Sequence, residues 1–124
     1  VKSNVPAKHV KTISNGIRPL SAAMFLESLP LIFQPIQSED LNAVYHFTFT
    51  GDESLEGTVT IHEKSLSVQE GLKGKSDLHE TADSRTWIKF LAKESSIVKA
   101  LVFRKIRIKG SSKLMMAFAK CFPL

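Results

Sequence analysis

The alternation of apolar and polar positions predicts a β-rich middle preceded by one helix. Residues 1–19 are interrupted by prolines and show no period, so they are expected to form an extended basic arm or linker. A first helix is predicted over residues 21–34, with Ser21 in the N-cap position. Pro30 should kink this helix or end its regular part. One apolar face at helical spacing is formed by Ala22, Phe25, Leu26, Leu29 and Phe33.

Period-two patterning predicts four strands in the middle of the chain. In the first, residues 44–50, aromatic side chains alternate with histidine and threonine. Two more strands are predicted over residues 58–62 and 66–70. The fourth, residues 77–82, has a weaker pattern because Glu80 interrupts its apolar face.

The last third of the chain predicts two helices, a strand and a final helix. The first of these helices, about residues 84–94, places Trp87 on its inner face, and a shorter helix begins at Ser95. A fifth strand is predicted over residues 105–109, and the final helix over residues 111–122. The element order α-β-β-β-β-α-α-β-α predicts an α+β fold with helices on one face of the sheet.

The final helix is apolar around nearly its whole circumference, so no single stripe contains its apolar residues. It therefore needs cover from the rest of the domain, a partner chain, a membrane or a bound apolar ligand. Met115 and Met116 are flexible and suit an adaptable surface. An empty cavity of about 300 Å³ would cost about 7 kcal/mol, which is comparable with the stability of a whole domain. We therefore expect a cavity that is filled by lipid or partly wetted, or that closes as the final helix moves like a gate.

The composition limits the chain to one ordinary globular domain. Its 124 residues are 43% hydrophobic and 23% charged, with neither an apolar run of membrane length nor a signal peptide. The single cysteine, Cys121, excludes an intrachain disulfide and a multi-cysteine metal site. These features favour a reduced, cytoplasmic setting. The first residue is Val1, as expected of a piece of a longer protein or of an alternative start codon.

The net charge of +5 is unevenly distributed, because both ends of the chain are basic and the middle is acidic. Basic ends favour transient contact with an anionic membrane or with nucleic acid, and the alternative is an ordinary solvated surface. Nucleic-acid binding is disfavoured, because the one tryptophan and the one tyrosine lie outside the basic stretches.

The sequence contains no motif for catalysis, a cofactor or a metal. Its four histidines lack the spacing of metal ligands. A glycine-rich phosphate loop, a nucleophile elbow and a pair of catalytic carboxylates are also absent from the sequence. The sequence therefore predicts a binding domain rather than an enzyme, with no cofactor.

Six segments follow, in order, the pattern of a known family. They are Leu29-Pro30, residues 45–51, the hairpin between Gly57 and Gly71, residues 87–91, residues 105–110 and residues 114–118. Together they span about residues 22–122 and resemble the sterol-carrier-protein family of lipid-binding domains, which has the SCP2-like fold. Two residues depart from the family pattern. Phe103 stands where a glycine is frequent, and Glu80 stands where an inward apolar residue is usual.

This resemblance implies a five-stranded mixed sheet with helices packed over one face, enclosing an apolar tunnel within residues 20–124. Family members bind or carry fatty acids, acyl-CoA, sterols or phospholipids, and some are fused to enzymes to which they present a hydrophobic substrate. The resemblance therefore implies binding, transfer or presentation of such a ligand, with a fused or partner enzyme. The alternative is a non-catalytic interaction or dimerisation domain with the final helix at the interface.

The expected cavity lining combines apolar residues of four helices with the inner face of the sheet. Each of these residues also suits a packed core. Glu80 is a candidate polar anchor for a hydroxyl or headgroup, and the alternative is a carboxylate at the rim of the sheet. The expected lining is Phe25, Leu29, Phe33, Phe47, Phe49, Ile61, Trp87, Leu91, Ile97, Leu101, Met115, Phe118, Ala119 and Phe122.

Overall fold

The computed structural model of the chain describes residues 19–92 and 104–123. In these parts, a five-stranded sheet is combined with helices near both ends. The elements are α1 (Ala22–Ile32), a short 3₁₀ helix (Ile36–Ser38), β1 (Ala43–Thr50), β2 (Leu55–His62), β3 (Ser65–Glu70), β4 (Leu78–Asp83), α2 (Ser84–Leu91), β5 (Ile106–Gly110) and α3 (Ser112–Cys121). The predicted α+β class is confirmed. The predicted arm before Pro19 and the shorter helix from Ser95 lie outside the described residues.

The sheet is mixed, with the strand order β3-β2-β1-β4-β5. β1 pairs with β2 in antiparallel and with β4 in parallel orientation. β4, which has the weakest sequence pattern, therefore lies between β1 and β5 rather than at an edge. Its register places Glu80 beside Phe47 on one side and Ile108 on the other. Because paired residues of neighbouring strands point to the same face, these three side chains share the inner face of the sheet.

α1 runs through Pro30 and ends at Ile32, two residues before the predicted end. Its first turn is capped twice. The Ser21 hydroxyl accepts a hydrogen bond from the Met24 N–H at 3.0 Å, and the Glu53 carboxylate accepts from the N–H groups of the first two helical residues at 2.7 and 3.1 Å. Unpaired N–H groups at a helix start need such acceptors. The loop after β1 therefore fixes where α1 begins.

An aromatic cluster forms the centre of the core between the sheet and the helices. Phe25 of α1 lies edge-on to Phe47, Phe49 and Trp87, with ring centroids 5.7, 6.1 and 5.4 Å apart. Phe118 of α3 joins the cluster at 5.4 Å from Phe47. Edge-to-face rings at these distances attract each other beyond the area they bury. The cluster thus joins α1, α2 and α3 to the inner face of β1.

The outer face of the sheet is polar, as expected when helices cover only one side. His46 nevertheless is buried, because the loop after β3 covers it and its Nε2 lies 3.0 Å from the Lys73 carbonyl oxygen. His79 of β4 lies beside it, and its Nε2 is 2.8 Å from the Thr48 hydroxyl. Partial burial, followed by the neighbouring His46, lowers the pKa of His79. Both histidines thus serve the packing of this face.

Candidate functional site

An apolar cleft of about 440 Å³ opens between α1, α2, β5 and α3. We call it the aromatic cleft. None of the described residues that line it carries a charged side chain. The volume falls in the range of ligand pockets, about 300–1,000 Å³. Its described lining is Phe25, Trp87, Phe90, Leu91, Ile108, Met115, Phe118, Ala119, Phe122 and Pro123.

The start of α2 is held in place by Asp83, the last residue of β4. Its carboxylate accepts hydrogen bonds from the N–H of Thr86 at 3.0 Å and from its hydroxyl at 2.8 Å. Burial alone raises the pKa of Asp83, but the Thr86 hydrogen bonds outweigh it and leave the pKa lowered. The cap is therefore a carboxylate at neutral pH. It orients the first turn of α2, which places Trp87 in the cleft wall.

Tyr45 of β1 holds α3 in place, and α3 forms one wall of the aromatic cleft. The buried Tyr45 hydroxyl donates a hydrogen bond to the Leu114 carbonyl oxygen at 2.6 Å, across the sheet–helix interface. Burial raises the pKa of Tyr45 above its usual range, so the phenol stays a donor. At the other end of α3, the Cys121 carbonyl oxygen accepts from the Gln34 N–H at 2.9 Å. The mobile gate predicted for this helix would have to break these two hydrogen bonds to move.

The variant Tyr45→Phe is expected to loosen α3 selectively. It removes one hydrogen bond, which corresponds to about 0.5–1.5 kcal/mol, and leaves the Leu114 carbonyl oxygen without its partner. We expect faster amide hydrogen exchange in α3, with the exchange in α2 as the internal control. Equal acceleration in both helices would indicate a global loss of stability and contradict this role for Tyr45.

Glu80 is buried on the inner face of β4 and not at the rim of the sheet, with 0% of its surface exposed. Neither carboxylate oxygen has a hydrogen-bond partner among the described residues. Burial raises the pKa of Glu80 well above its usual value. Burial therefore favours the neutral, protonated form of this side chain over the carboxylate.

The structure brings seven of the predicted lining residues together in the aromatic cleft. These are Phe25, Trp87, Leu91, Met115, Phe118, Ala119 and Phe122. Phe47 and Phe49 pack behind them in the aromatic cluster. The Phe33 ring lies 5.4 Å from that of Phe122 at a tilted angle, and Leu29 and Ile61 are buried in the core. Ile97 and Leu101 lie outside the described residues.

Sequence reasoning missed three members of the cleft wall. Phe90 and Ile108 follow the helical and strand periods of their elements and were expected only in the core. Pro123 comes after the last helix, where periodicity gives no signal. Which core positions face an opening depends on how the helices pack on the sheet, so a local pattern does not reveal it.

A second groove of about 570 Å³ lies between α1 and the β2–β3 edge of the sheet. Three carboxylates line it, those of Glu27, Glu56 and Glu70. It is open to solvent and has no apolar enclosure comparable with that of the aromatic cleft. We therefore take the aromatic cleft as the candidate binding site.

Within residues 19–92 and 104–123, no group of three or more histidine, cysteine, aspartate or glutamate side chains could hold a metal ion. In the same parts of the chain, none of the helices has the length and apolar character needed to cross a membrane.

A five-stranded mixed sheet with helices over one face is the architecture that the family resemblance implies. The profile of the SCP-2 sterol transfer family matches residues 34–123. The chain therefore belongs to the SCP-2 sterol transfer family, for which lipid binding or transfer is the class of function. A comparison with curated proteins finds no match.

Solved structures share this fold at low sequence identity. The stereoselective inverting sec-alkylsulfatase Pisa1 from Pseudomonas sp. matches with a TM-score of 0.68 and 16% identity over 82% of this chain. This chain covers only 16% of the alkylsulfatase. Sterol carrier protein 2 like 2 from Aedes aegypti matches with a TM-score of 0.59 and 15% identity, over 90% of this chain and 98% of that one. A UbiJ-SCP2 ubiquinone synthesis protein matches with a TM-score of 0.52 and 15% identity, over 87% and 90% of the two chains.

Proposed function

We propose that the aromatic cleft binds the hydrocarbon part of a lipid. The observation that carries this proposal is a cleft of about 440 Å³ whose described lining is entirely apolar and aromatic, in a chain of the SCP-2 family. Such a surface gains free energy by leaving water, at about 25 cal/mol per Å². A bound acyl, isoprenoid or sterol body supplies the apolar contacts that the cleft otherwise lacks.

We further infer that the chain presents or transfers its ligand and performs no reaction on it. The structural similarity to part of an alkylsulfatase supports a role beside a catalytic domain, either fused or separate. The relative named as a ubiquinone synthesis protein supports an isoprenoid-bearing ligand as one candidate. Fatty acid is another, because the Aedes aegypti relative was solved in a palmitated form. Acyl-CoA, sterol and phospholipid remain in the same proposal.

Native mass spectrometry of the freshly purified protein tests this proposal, followed by organic extraction of any adduct. We expect a co-purifying lipid, or uptake of one from phosphatidylcholine vesicles. Trp87 is the only tryptophan and lies in the cleft wall, so its fluorescence reports occupancy directly. A protein that takes up no lipid and whose Trp87 emission does not change would overturn the proposal.

Filling the cleft with a larger side chain is expected to block binding. Ala119 lines the aromatic cleft, whereas Ala117 of the same helix lines a different groove near the 3₁₀ helix. Ala119→Trp should lower ligand affinity at least about tenfold, since the indole occupies space that the ligand needs. Ala117→Trp is the matched control and should bind as the wild type does. Equal loss in both variants would place the ligand elsewhere.

Transient contact with an anionic membrane belongs to the same proposal. Met116 of α3 is 67% exposed, and Lys113 and Lys120 of the same helix are also exposed. An apolar side chain among cations suits the surface of an anionic bilayer. Co-sedimentation with phosphatidylserine vesicles, but not with phosphatidylcholine vesicles, would support it. Analytical ultracentrifugation tests the alternative, in which the exposed side of α3 is a dimer interface.

A further inference from the structure

The groove between α1 and the β2–β3 edge of the sheet combines apolar walls with acidic side chains. We call it the acidic groove, and its volume is about 570 Å³. Of its apolar lining residues, Leu26 is buried and Leu55 and Val68 are half-buried. Glu27 of α1 and Glu70 of β3 belong to opposite walls, and both are exposed. A ligand for this groove therefore needs both apolar surface and positive charge.

The strand register brings the two carboxylates to the same part of the groove. Glu70 is paired with Gly57 in the sheet. A Cβ at Gly57 would lie 2.8 Å from the side chain of Leu26, the residue next to Glu27. Within the described parts of the chain, neither carboxylate forms an ion pair, although the Lys73 side chain approaches the groove. Like charges without a counterion repel each other, so a cation between the two carboxylates would be stabilising.

Two other carboxylates near the start of α1 already have partners. Glu53 accepts hydrogen bonds from the first two N–H groups of α1 at 2.7 and 3.1 Å. Asp52, the neighbouring residue, lies 2.7 Å from Nη2 of Arg85. A cationic segment at this end of the domain therefore gains more from the acidic groove than from these two side chains.

The sequence before Pro19 has the composition that the acidic groove requires. Residues 1–18, which we call the N-terminal arm, contain three lysines and one arginine but no aspartate or glutamate. Lys8 and Lys11 are interleaved with two apolar residues, Val10 and Ile13. Opposite charges on two surfaces that also share apolar area favour the association of those surfaces.

The N-terminal arm is joined to the domain near one end of the groove. It ends five residues before Ala23, the first lining residue. Along α1 the groove extends from Ala23 to Pro30, which is about 10 Å at the rise of an α-helix. The six residues after Ile13 span up to about 20 Å when extended, and Asn15-Gly16 favours a turn that reverses the chain. Residues 8–13 can therefore reach both walls.

We propose that residues 8–13 of the N-terminal arm dock in the acidic groove of the same chain. Lys8 and Lys11 then pair with the carboxylates of the two walls, and Val10 and Ile13 contact the apolar lining. The docked segment also covers the free edge of β3, the outermost strand on this side of the sheet. The acidic groove shares no lining residue with the aromatic cleft, so this interaction is independent of the proposed function.

Carbodiimide cross-linking of the whole 124-residue chain tests this interaction, because the reagent joins an amine to a carboxylate only when the two are in contact. Ordinary and isotope-labelled protein are mixed in equal amounts, so that links within one chain are distinguished from links between copies. Digestion and mass spectrometry then give the yield of each link from Lys8 or Lys11. Glu39 and Asp40, two exposed carboxylates beside the 3₁₀ helix, provide the internal reference.

We expect links within one chain from these lysines to Glu27 and Glu70, in about tenfold higher yield than links to the reference carboxylates, since two exposed ion pairs each contribute up to about fivefold. Sodium chloride at about 1 M should remove most of this preference, because it screens charges beyond about 3 Å. Glu70→Lys should lower the yield of the link to Glu27 by about fivefold, because it reverses the charge on the facing wall. Glu63→Lys, in the turn before β3, is the charge-matched control and should leave that yield unchanged.

Three results would overturn the proposal. The first is an equal yield of links to the groove and to the reference carboxylates. The second is links that join labelled to unlabelled chains, which would place the arm on a second copy. The third is an equal loss in Glu63→Lys and Glu70→Lys, which would indicate a general effect of net charge. Circular dichroism establishes that each variant is folded, and none of these results bears on lipid binding in the aromatic cleft.

Discussion

Phe25→Ala is expected to lower the free energy of unfolding by about 3–5 kcal/mol, the usual range for deleting a buried phenylalanine ring. Phe25 is 0% exposed and its ring contacts three other aromatic rings of the core, from β1 and α2. The variant loses these contacts and leaves a cavity that a rigid sheet cannot close. Since domains are stable by only about 5–15 kcal/mol, a substantial unfolded fraction is expected near physiological temperature.

Equilibrium urea unfolding, with the slope of the transition compared between variants, measures this loss. Phe90→Ala provides a matched control, because Phe90 is half-buried in the cleft wall and contacts Trp87 at 5.4 Å. We expect it to lose clearly less stability than Phe25→Ala. A loss below about 1.5 kcal/mol in Phe25→Ala would mean that the aromatic cluster repacks, and it would remove Phe25 as the element that joins α1 to the sheet.

The strands with the clearest alternation were predicted almost to the residue. The first was predicted from residue 44 to residue 50 and is observed as Ala43–Thr50. Its aromatic residues are buried, because every second side chain faces the helices. The fifth strand, predicted over 105–109, is observed one residue later, as Ile106–Gly110. In such segments the local pattern is enough to predict the bounds of the strand, because every second residue is apolar and every second side chain faces the core.

The second strand begins three residues earlier than predicted, at Leu55. The sequence Glu56-Gly57 is typical of a loop, but Gly57 pairs with Phe47 in the sheet. A Cβ at this glycine would come within 2.8 Å of the Leu26 side chain of α1, so any other residue here would force that side chain to shift. This cause is a contact between distant residues, and the sequence pattern around Gly57 contains no trace of it.

The position of Glu80 shows the same limit for the site. In the sequence, Glu80 was visible only as a break in the apolar pattern of the fourth strand. A position at the rim of the sheet was therefore an open alternative to one inside the cavity. The parallel pairing of β4 with β1 puts it between Phe47 and Ile108 in the middle of the inner face. Strand order is determined by the whole chain, so the depth of Glu80 became visible only in the structure.

The position of the final helix was predicted correctly. The rest of the described structure covers this helix less completely than its apolar sequence indicated. Phe118 and Cys121 are buried against the core, whereas Met116 points to solvent and Met115 lines the cleft. The apolar excess of this helix therefore divides between core, cleft and exposed surface. The family resemblance identified the class of fold and function, and the geometry of α3 identifies which of its residues face an opening.

Glu80 is expected to make the stability of the folded protein fall as pH rises above the usual glutamate pKa of 4.5. Below that value the carboxyl is protonated in both the folded and the unfolded chain, so folding does not change its charge. Above it, the unfolded chain releases the proton, whereas the folded protein retains it because burial raises the pKa. The free energy of unfolding then falls by up to about 1.4 kcal/mol per pH unit, until the folded protein also ionises.

Other titratable groups must be separated from this effect. Tyr45 and Cys121 are the other titratable side chains of the described core on the inner face, and burial raises the pKa of both. They therefore stay neutral between pH 5 and pH 8. His79, on the outer face, acts in the opposite direction, because a lowered histidine pKa makes stability rise as pH increases. These contributions cancel in the difference between wild type and Glu80→Gln.

The measurement is therefore the difference in the free energy of unfolding between wild type and Glu80→Gln, from urea transitions at several pH values between 5 and 8. Glutamine has the shape of the neutral acid and cannot ionise. We expect the variant to gain stability relative to wild type steadily with pH, because only the wild-type unfolded chain is stabilised by losing a proton. A constant difference over this range would show that Glu80 is already ionised in the folded protein.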